Sequence, residues 1–143
     1  MKTLLSILIG LAIALNCTAD EAKLYEASVN FKNKKGKDLV MSFKETERKK
    51  HTSHVSLTFE SGSSVASSMF IAKGMYKIAK SRNMAYFVNL KEWKSEDGTR
   101  KYIVGFSNDK TLNIVTFFGK DADTNKKLKF LSTEQFDVMW GRE

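Results

Sequence analysis

The sequence predicts a mostly-β domain: an antiparallel meander of eight or nine short strands, closed into a barrel or folded into a two-layer sandwich, with a short C-terminal helix. Between residues 84 and 118, large apolar side chains alternate with small or polar ones, and turns rich in Gly, Asn and Asp interrupt the alternation. Similar alternation recurs between residues 23 and 59. A sheet of this many strands rarely stays open and flat, so we expect closure or two layers.

Three strands are predicted in the first half of the chain. The first covers residues 23–32 and the second residues 39–43, and Gly36 provides the positive φ that the turn between them requires. Residues 45–51 are charged and have no apolar period, which indicates a connection, and a third strand follows over residues 55–59. Each strand has an apolar row and a polar row, as expected of a sheet with one face in water.

Residues 61–73 fit either a helix or a strand. Four apolar side chains share a helical spacing, namely Val65, Met69, Ala72 and Tyr76. Several serines and Gly74 are poor helix formers, however, and residues 74–78 alternate on Tyr76 and Ile78. We therefore favour a strand over residues 61–73 and another over residues 74–78.

The most regular alternation predicts three consecutive strands, over residues 84–90, 102–106 and 112–118. Turns at residues 95–98 and 108–110 separate them, so neighbouring strands are expected to form antiparallel hairpins. This meander is the centre of the predicted sheet.

The C-terminal segment predicts one more strand, at residues 128–130, and then a short helix. Ser132 and Gln135 have the spacing of a capping box. The helix would place one apolar row on the sheet, comprising Phe136, Met139 and Trp140. The alternative is a final strand with a row of Phe136, Val138 and Trp140, and either element buries Trp140.

The first nineteen residues have the features of a secretory signal peptide. Lys2 precedes an apolar run over residues 4–15 that is too short to span a bilayer, and small residues stand at −3 and −1 before the predicted cleavage after Ala19. Lipid attachment through Cys17 is the alternative, although Asn16 is a poor residue to precede a lipid-modified cysteine. We expect a secreted or periplasmic protein with residues 1–19 as signal peptide, residues 20–143 as a single domain, and neither a disulfide nor a transmembrane segment.

The chain is basic, with a formal net charge of +8, of which Lys2 contributes one unit. The positive charge is concentrated in three clusters, comprising Lys34, Lys35 and Lys37; Arg48, Lys49 and Lys50; and Lys126, Lys127 and Lys129. Such clusters attract anionic partners. Such clusters also prevent strand edges from pairing and keep a protein soluble. For an exported domain we favour this second interpretation. We expect no specific nucleic-acid partner.

The sequence contains no recognisable catalytic or metal-binding motif. His51 and His54 run into a predicted strand, where residues three apart point to opposite faces. Residues 121–125 begin like a calcium loop, but Lys126 and Ser132 stand where such a loop has Gly and Glu. The serines at residues 61–64 lack the pattern of a nucleophile elbow. We therefore expect no enzymatic activity, no metal site and no cofactor.

Four short segments have a rhythm that resembles small bacterial lipocalin-like, calycin-type β-barrels. They are Gly74-x-Tyr76-x-Ile78, Phe87-x-Asn89, Tyr102-x-Val104 and Leu112-x-Ile114, separated by turns. The resemblance implies a closed antiparallel barrel that holds a small ligand. The chain departs from the true lipocalins near the first strand, where Leu24-Tyr25-Glu26 stands in place of a Gly-x-Trp motif.

Large aromatic side chains are predicted to face the barrel interior, namely Tyr25, Phe31, Phe43, Phe59, Tyr76, Tyr86, Tyr102, Phe106 and Phe118. An eight-stranded barrel has an interior that side chains fill or that holds one small ligand. The predicted ligand contacts are Tyr76, Tyr86, Tyr102 and Phe118, because tyrosine hydroxyls in the central strands can orient a bound molecule. Aromatic residues predicted to face outwards, Phe87, Trp93 and Phe117, offer a patch for a protein partner.

These features predict a non-enzymatic secreted or periplasmic binding module that holds a small apolar or amphipathic ligand inside the barrel. For the interior itself, we favour a core filled by the same side chains, with tyrosine hydroxyls at the barrel mouth, over a hollow one. The alternative function is an interaction protein, either an inhibitor of an extracellular enzyme or a binder of anionic envelope polymers, that uses the basic clusters.

Overall fold

The fold is a six-stranded antiparallel sheet curled into a half-barrel, described by a computed structural model over residues 23–32, 35–36, 38–59 and 65–143. The predicted signal peptide with Cys17 lies outside the described residues, as do Lys34, Lys37 and residues 61–64. In chain order the elements are β1 (Glu26–Lys32), β2 (Asp38–Arg48), β3 (Thr52–Phe59), α1 (Val65–Ser81), β4 (Tyr86–Lys94), β5 (Arg100–Ser107), α2 (Ile114–Phe118), a 3₁₀ turn (Gly119–Asp121), β6 (Leu131–Ser132) and α3 (Thr133–Trp140). None of the helices in these ranges is long and apolar enough to cross a membrane.

The strands follow the order β1-β2-β3-β5-β4-β6, and every neighbouring pair is antiparallel. The chain forms two hairpins from β1 to β3. The helix α1 then leads to β4, and β5 returns to lie between β4 and β3. The predicted mostly-β antiparallel class and the C-terminal helix are confirmed. The predicted closure into a barrel of eight or nine strands is wrong. Residues 65–78, 112–118 and 128–130 do not form the predicted strands, so too few strands remain to close a barrel.

Residues 65–81 form the helix α1 instead of strands. Its buried side, which includes Tyr76 and Ile78, packs on the main core. Gly74 permits a close approach, since a Cβ at this position would lie 2.6 Å from the ring of Phe43 on β2. Poor helix formers cost about 1 kcal/mol per residue or less. Burial of each large apolar side chain contributes about 1.5–3 kcal/mol, so the packing of Met75, Tyr76 and Ile78 outweighs this cost, whereas Met69 of the predicted apolar row is exposed.

Residues 112–118, predicted as the last strand of the meander, contain the short helix α2. The side chain of Asn113 caps this helix by accepting a hydrogen bond from the backbone N–H of Thr116 at 3.0 Å. Gly119, with a φ of 58°, follows its last residue. A capping residue and a terminating glycine thus flank the apolar run, and they favour a turn of helix over a strand.

The sheet has an apolar cluster on each face. Along β5, Tyr102 and Val104 belong to the main cluster beneath α1 and α3, whereas Ile103 belongs to a second cluster on the opposite face. The buried members of the second cluster are Val88, Leu90, Ile103, Phe118 and Ala122. The prediction that Phe87 faces outwards is wrong, because its side chain is completely buried in the main cluster. Trp93 and Phe117 are exposed, as predicted.

The helix α3 begins after Ser132, as the capping box predicts. The hydroxyl of Ser132 accepts a hydrogen bond from the backbone N–H of Glu134 at 3.2 Å. The rings of Phe136 and Trp140 stack with their centroids 5.2 Å apart. Met139 is half exposed, so the prediction that it shares their buried face is wrong.

Candidate functional site

An open groove lies at the β6 edge of the sheet, beside the second apolar cluster. Its volume is about 610 Å³, which is within the range of small-molecule binding sites. Its walls come from the start of β4, from residues 110–114 and 128–132, and from the start of α3. The lining residues are Tyr86, Lys110, Leu112, Ile114, Leu128, Lys129, Phe130, Leu131, Ser132, Glu134 and Gln135.

Residues 108–130 form one side of this groove, and hydrogen bonds hold them on the sheet. The side chain of Asn108 accepts a hydrogen bond from the backbone N–H of Ala85, just before β4, at 2.8 Å. Farther along, the backbone N–H of Asp123 donates to the carbonyl oxygen of Leu90 at 2.9 Å. The segment is therefore attached to β4 at two points.

Aromatic contacts join the groove to the sheet. Phe118 packs directly on Gly105 of β5, where a Cβ would lie 2.7 Å from the phenylalanine ring. Phe130 contacts Phe118 and Tyr86, with centroid separations of 6.3 and 6.2 Å. Since Phe118 is buried in the second cluster, the apolar lining of the groove is anchored in that cluster.

The charge of the groove comes from two lysines and one glutamate. Lys110 and Lys129 are exposed and line the groove together with Glu134. Within the part of the chain that the structure describes, neither lysine forms a salt bridge. Positive charge beside apolar walls suits a ligand that has both an anionic group and an apolar body.

The four predicted ligand contacts lie in different places. Tyr86 lines the groove, whereas Tyr102 is buried in the main cluster and Phe118 in the second. Tyr76 lies on α1 with its hydroxyl donating to a carboxylate oxygen of Asp137 at 2.5 Å, and burial, helped by this bond, raises the pKa of Tyr76 to about 12. The structure does not bring the four side chains together around one cavity, and their role as ligand contacts stays a prediction.

The described residues of the first two predicted basic clusters lie far apart. Lys35 is in the turn between β1 and β2, and residues 48–50 are at the opposite end of β2. A strand of eleven residues spans about 36 Å, so Lys35 and residues 48–50 do not form one surface. Arg82 binds the carbonyl oxygens of Lys49 and Lys50 at 2.6 and 2.9 Å, which fixes this turn to the end of α1.

The third basic cluster lies beside the groove. Lys129 lines the groove, Lys126 forms a salt bridge of 3.6 Å with Glu92, and Lys127 is exposed. Only one of its three lysines therefore faces the candidate site.

The histidines and acidic residues considered as metal ligands do not come together. The ring of His51 contacts Phe117 at a centroid distance of 4.9 Å, whereas His54 lies in β3. A carboxylate oxygen of Asp123 accepts a hydrogen bond from the backbone N–H of Asn125. Among residues 23–32, 35–36, 38–59 and 65–143, no group of three His, Cys, Asp or Glu side chains is placed to hold a metal ion.

Sequence reasoning missed the groove, although it singled out Tyr86 and Lys129 for other reasons. The alternation predicts that Leu112, Ile114 and Leu128 lie in strands of the sheet. The available signal was the polar stretch at residues 119–127 between two short apolar runs. A segment of this pattern can fold back and place both runs on the same side of a sheet.

The segments that suggested a lipocalin-like barrel adopt different secondary structures. Those at residues 87–89 and 102–104 lie in β4 and β5, whereas residues 74–78 lie in α1 and residues 112–114 lead into α2. The resemblance itself stays a prediction. Comparisons of the chain with protein-family models, with curated proteins and with solved structures found no match.

Proposed function

We propose that this chain is a non-enzymatic binding module that acts outside the cytoplasm, after removal of residues 1–19, and that its groove holds an amphipathic anion with an alkyl chain. The observation that carries the proposal is the presence of apolar walls and two lysines in one groove of about 610 Å³. The ligand would lie at the edge of the sheet and not inside a closed barrel.

The apolar lining supports binding of the alkyl chain. Its members are Tyr86, Leu112, Ile114, Leu128, Phe130 and Leu131. Removal of each methylene group from water contributes about 0.8 kcal/mol, so a chain of several methylenes supplies most of the affinity. Leu131 is 38% exposed and would be covered by the ligand.

The charges support an anionic head group. Lys110 and Lys129 offer two ammonium groups, and Glu134 offsets one of these charges. The groove therefore has one net positive charge, which suits a single carboxylate. Lysine binds such a group through charge-assisted hydrogen bonds.

Binding of dodecanoate below its micelle concentration tests the proposal. Calorimetry should show saturable binding, and amide NMR should show shifts at residues 110–114 and 128–135. The double variant Lys110→Gln/Lys129→Gln should bind about tenfold more weakly, because the loss of a head-group contact costs about 1.4 kcal/mol. Leu131→Ser should also weaken binding, since it removes part of the apolar wall.

The matched control is Lys120→Gln/Lys127→Gln, which removes the same charge from exposed lysines outside the lining. This variant should bind dodecanoate as tightly as the unmodified protein. The proposal fails if dodecanoate causes no saturable change, or if both double variants lose affinity equally. An equal loss would mean that net charge alone attracts the ligand.

Contact with a protein or an anionic envelope polymer through the basic clusters stays a prediction. The separation of Lys35 from residues 48–50 does not favour it.

A further inference from the structure

The sheet face opposite the main core carries a row of four polar residues and one tryptophan, here called the polar row, that crosses five strands. Residues that pair directly across the ladders form this row, in the order Glu26, Lys44, Ser56, Lys101 and Trp93. Neighbouring strands are about 4.8 Å apart, so the row is about 19 Å long. It shares no residue with the groove at the β6 edge.

A small pocket lies at the Trp93 end of this row. Its volume is about 240 Å³, and its lining residues are Thr46, His54, Val55, Trp93, Lys101 and Tyr102. The side chains of Val55 and Tyr102 belong to the main core on the other face, so the strand backbones form the floor. This volume is below the range of drug-sized sites, so the pocket suits at most one ring of a larger ligand.

The pocket combines an aromatic plane with positive charge, since Trp93 and Lys101 line it and Lys91 lies beside Trp93. Trp93 is 41% exposed, and the ammonium nitrogen of Lys91 lies 5.9 Å from the centroid of its ring. The ammonium group of Lys101 donates to the hydroxyl of Ser56 at 3.3 Å. Neither lysine forms a salt bridge with another described residue, and the carboxylate of Asp97 interacts with Lys101 only over a longer range.

We infer that this pocket binds an acidic sugar unit, a uronic acid of a polysaccharide. One face of a pyranose ring presents C–H groups that stack on an exposed aromatic plane, which Trp93 supplies. The carboxylate binds Lys101. The hydroxyl group of Thr46 donates to the carbonyl oxygen of His54 at 3.3 Å, so its oxygen is left to accept a hydrogen bond from a sugar hydroxyl. A neighbouring unit of the polymer would follow the polar row towards Lys44.

His54 provides an independent observation for the same pocket. It lines the pocket, and its Nε2 is buried without a hydrogen-bond partner. A buried polar atom without a partner is unfavourable. A hydrogen bond from a sugar hydroxyl to this nitrogen would remove that cost.

An amide NMR titration with an oligomer of galacturonic acid tests the inference. We expect saturable shifts at Thr46, His54, Trp93 and Lys101, without shifts at residues 110–114 and 128–135. Trp93→Ala should raise the Kd about tenfold, because it removes the stacking plane, and Lys101→Gln should raise it by a similar factor. Dodecanoate binding in the groove should be unchanged in both variants, which separates this inference from the proposed function.

The matched control for Trp93→Ala is Phe117→Ala, since Phe117 is also 41% exposed but lies outside the pocket. It should leave the Kd unchanged. A neutral galactose oligomer and inorganic sulfate should each bind more weakly than the acidic oligomer. The inference is overturned if sulfate reproduces both the shifts and the affinity, if the neutral oligomer binds equally well, or if Trp93→Ala has no effect.

Discussion

The guanidinium group of Arg48 holds both carboxylate oxygens of Glu45. Nε donates to Oε1 and Nη2 donates to Oε2, each at 2.8 Å. Glu45 is only 2% exposed, and it also accepts hydrogen bonds from the hydroxyl of Ser53 at 2.7 Å and from the backbone N–H of Tyr25 at 2.9 Å. Four donors therefore satisfy one buried charge, and those of Tyr25 and Ser53 join β2 to the residue before β1 and to β3.

Replacement of Glu45 should destabilise the protein more than replacement of any nearby surface carboxylate. Glu45→Gln leaves Arg48 without its ionic partner, and the loss of one member of a buried pair costs about 3 kcal/mol. Glu47→Gln is the control, since Glu47 and Lys49 are both about half exposed and 3.9 Å apart, and it should cost less than about 1 kcal/mol. Urea unfolding followed by circular dichroism measures both, and equal costs would contradict the buried-pair interpretation.

The same carboxylate should make stability depend on pH in the acid range. Burial alone would raise the pKa of Glu45, but the hydrogen bonds from Arg48, Tyr25 and Ser53 outweigh it and hold the pKa below its ordinary value of 4.5. The stabilisation is therefore fully present above pH 4.5 and is lost as the pH falls through the folded-state pKa.

The measurement is the free energy of unfolding of the unmodified protein and of Glu45→Gln as the pH is lowered from neutral. Other carboxyl groups with a lowered pKa, such as that of Asp137, contribute to the slope in both proteins. We expect the unmodified protein to lose stability more steeply below pH 4.5. Parallel curves would show that Glu45 does not contribute to the loss of stability at acid pH.

Ionisation of Tyr76 should make the free energy of unfolding fall as the pH rises in the alkaline range, which is the opposite direction to the effect of Glu45. Its raised pKa of about 12 means that its stabilisation is fully present below pH 10 and is lost as the pH rises towards 12. Tyr76→Phe should cost about 1 kcal/mol at neutral pH through the lost hydrogen bond, and it should remove this part of the alkaline loss. Unfolding at neutral and alkaline pH measures both effects.

Asp137→Asn provides the double-mutant cycle for this contact. If the hydroxyl of Tyr76 acts through Asp137, the two substitutions together should cost less than the sum of their separate costs. Strictly additive costs would show that the hydrogen bond between α1 and α3 contributes nothing measurable.

A methyl group on Gly105 should displace Phe118. A Cβ at this position would lie 2.7 Å from the ring, so Gly105→Ala should cost about 1–3 kcal/mol in stability through overpacking. Phe118→Leu in the same protein should recover part of that loss, because the smaller side chain leaves room for the methyl group. Urea unfolding of the two single variants and the double variant checks this, and additive costs would mean that the two positions do not compete for space.

The predictable parts of the fold rest on local patterns. β1 to β5 follow period-two alternation, and α3 follows from Ser132, whose hydroxyl caps it. The prediction failed where one apolar run satisfied two patterns. Residues 65–76 fit both the helical and the strand spacing. They form a helix that packs closely on Phe43, a residue distant in the chain, at Gly74. Of the groove, Tyr86 and Lys129 were named, but nothing local indicates that they line one cavity.

Sequence alone determined that this is a basic, antiparallel, mostly-β protein with a C-terminal helix, because alternation and helix capping act between residues close in the chain. Only the tertiary structure decided that the sheet stays an open half-barrel, that residues 108–130 return to cover its second face, and that a groove and a separate pocket result. These outcomes depend on which apolar surfaces bury one another across long chain separations, and local periodicity does not encode that choice.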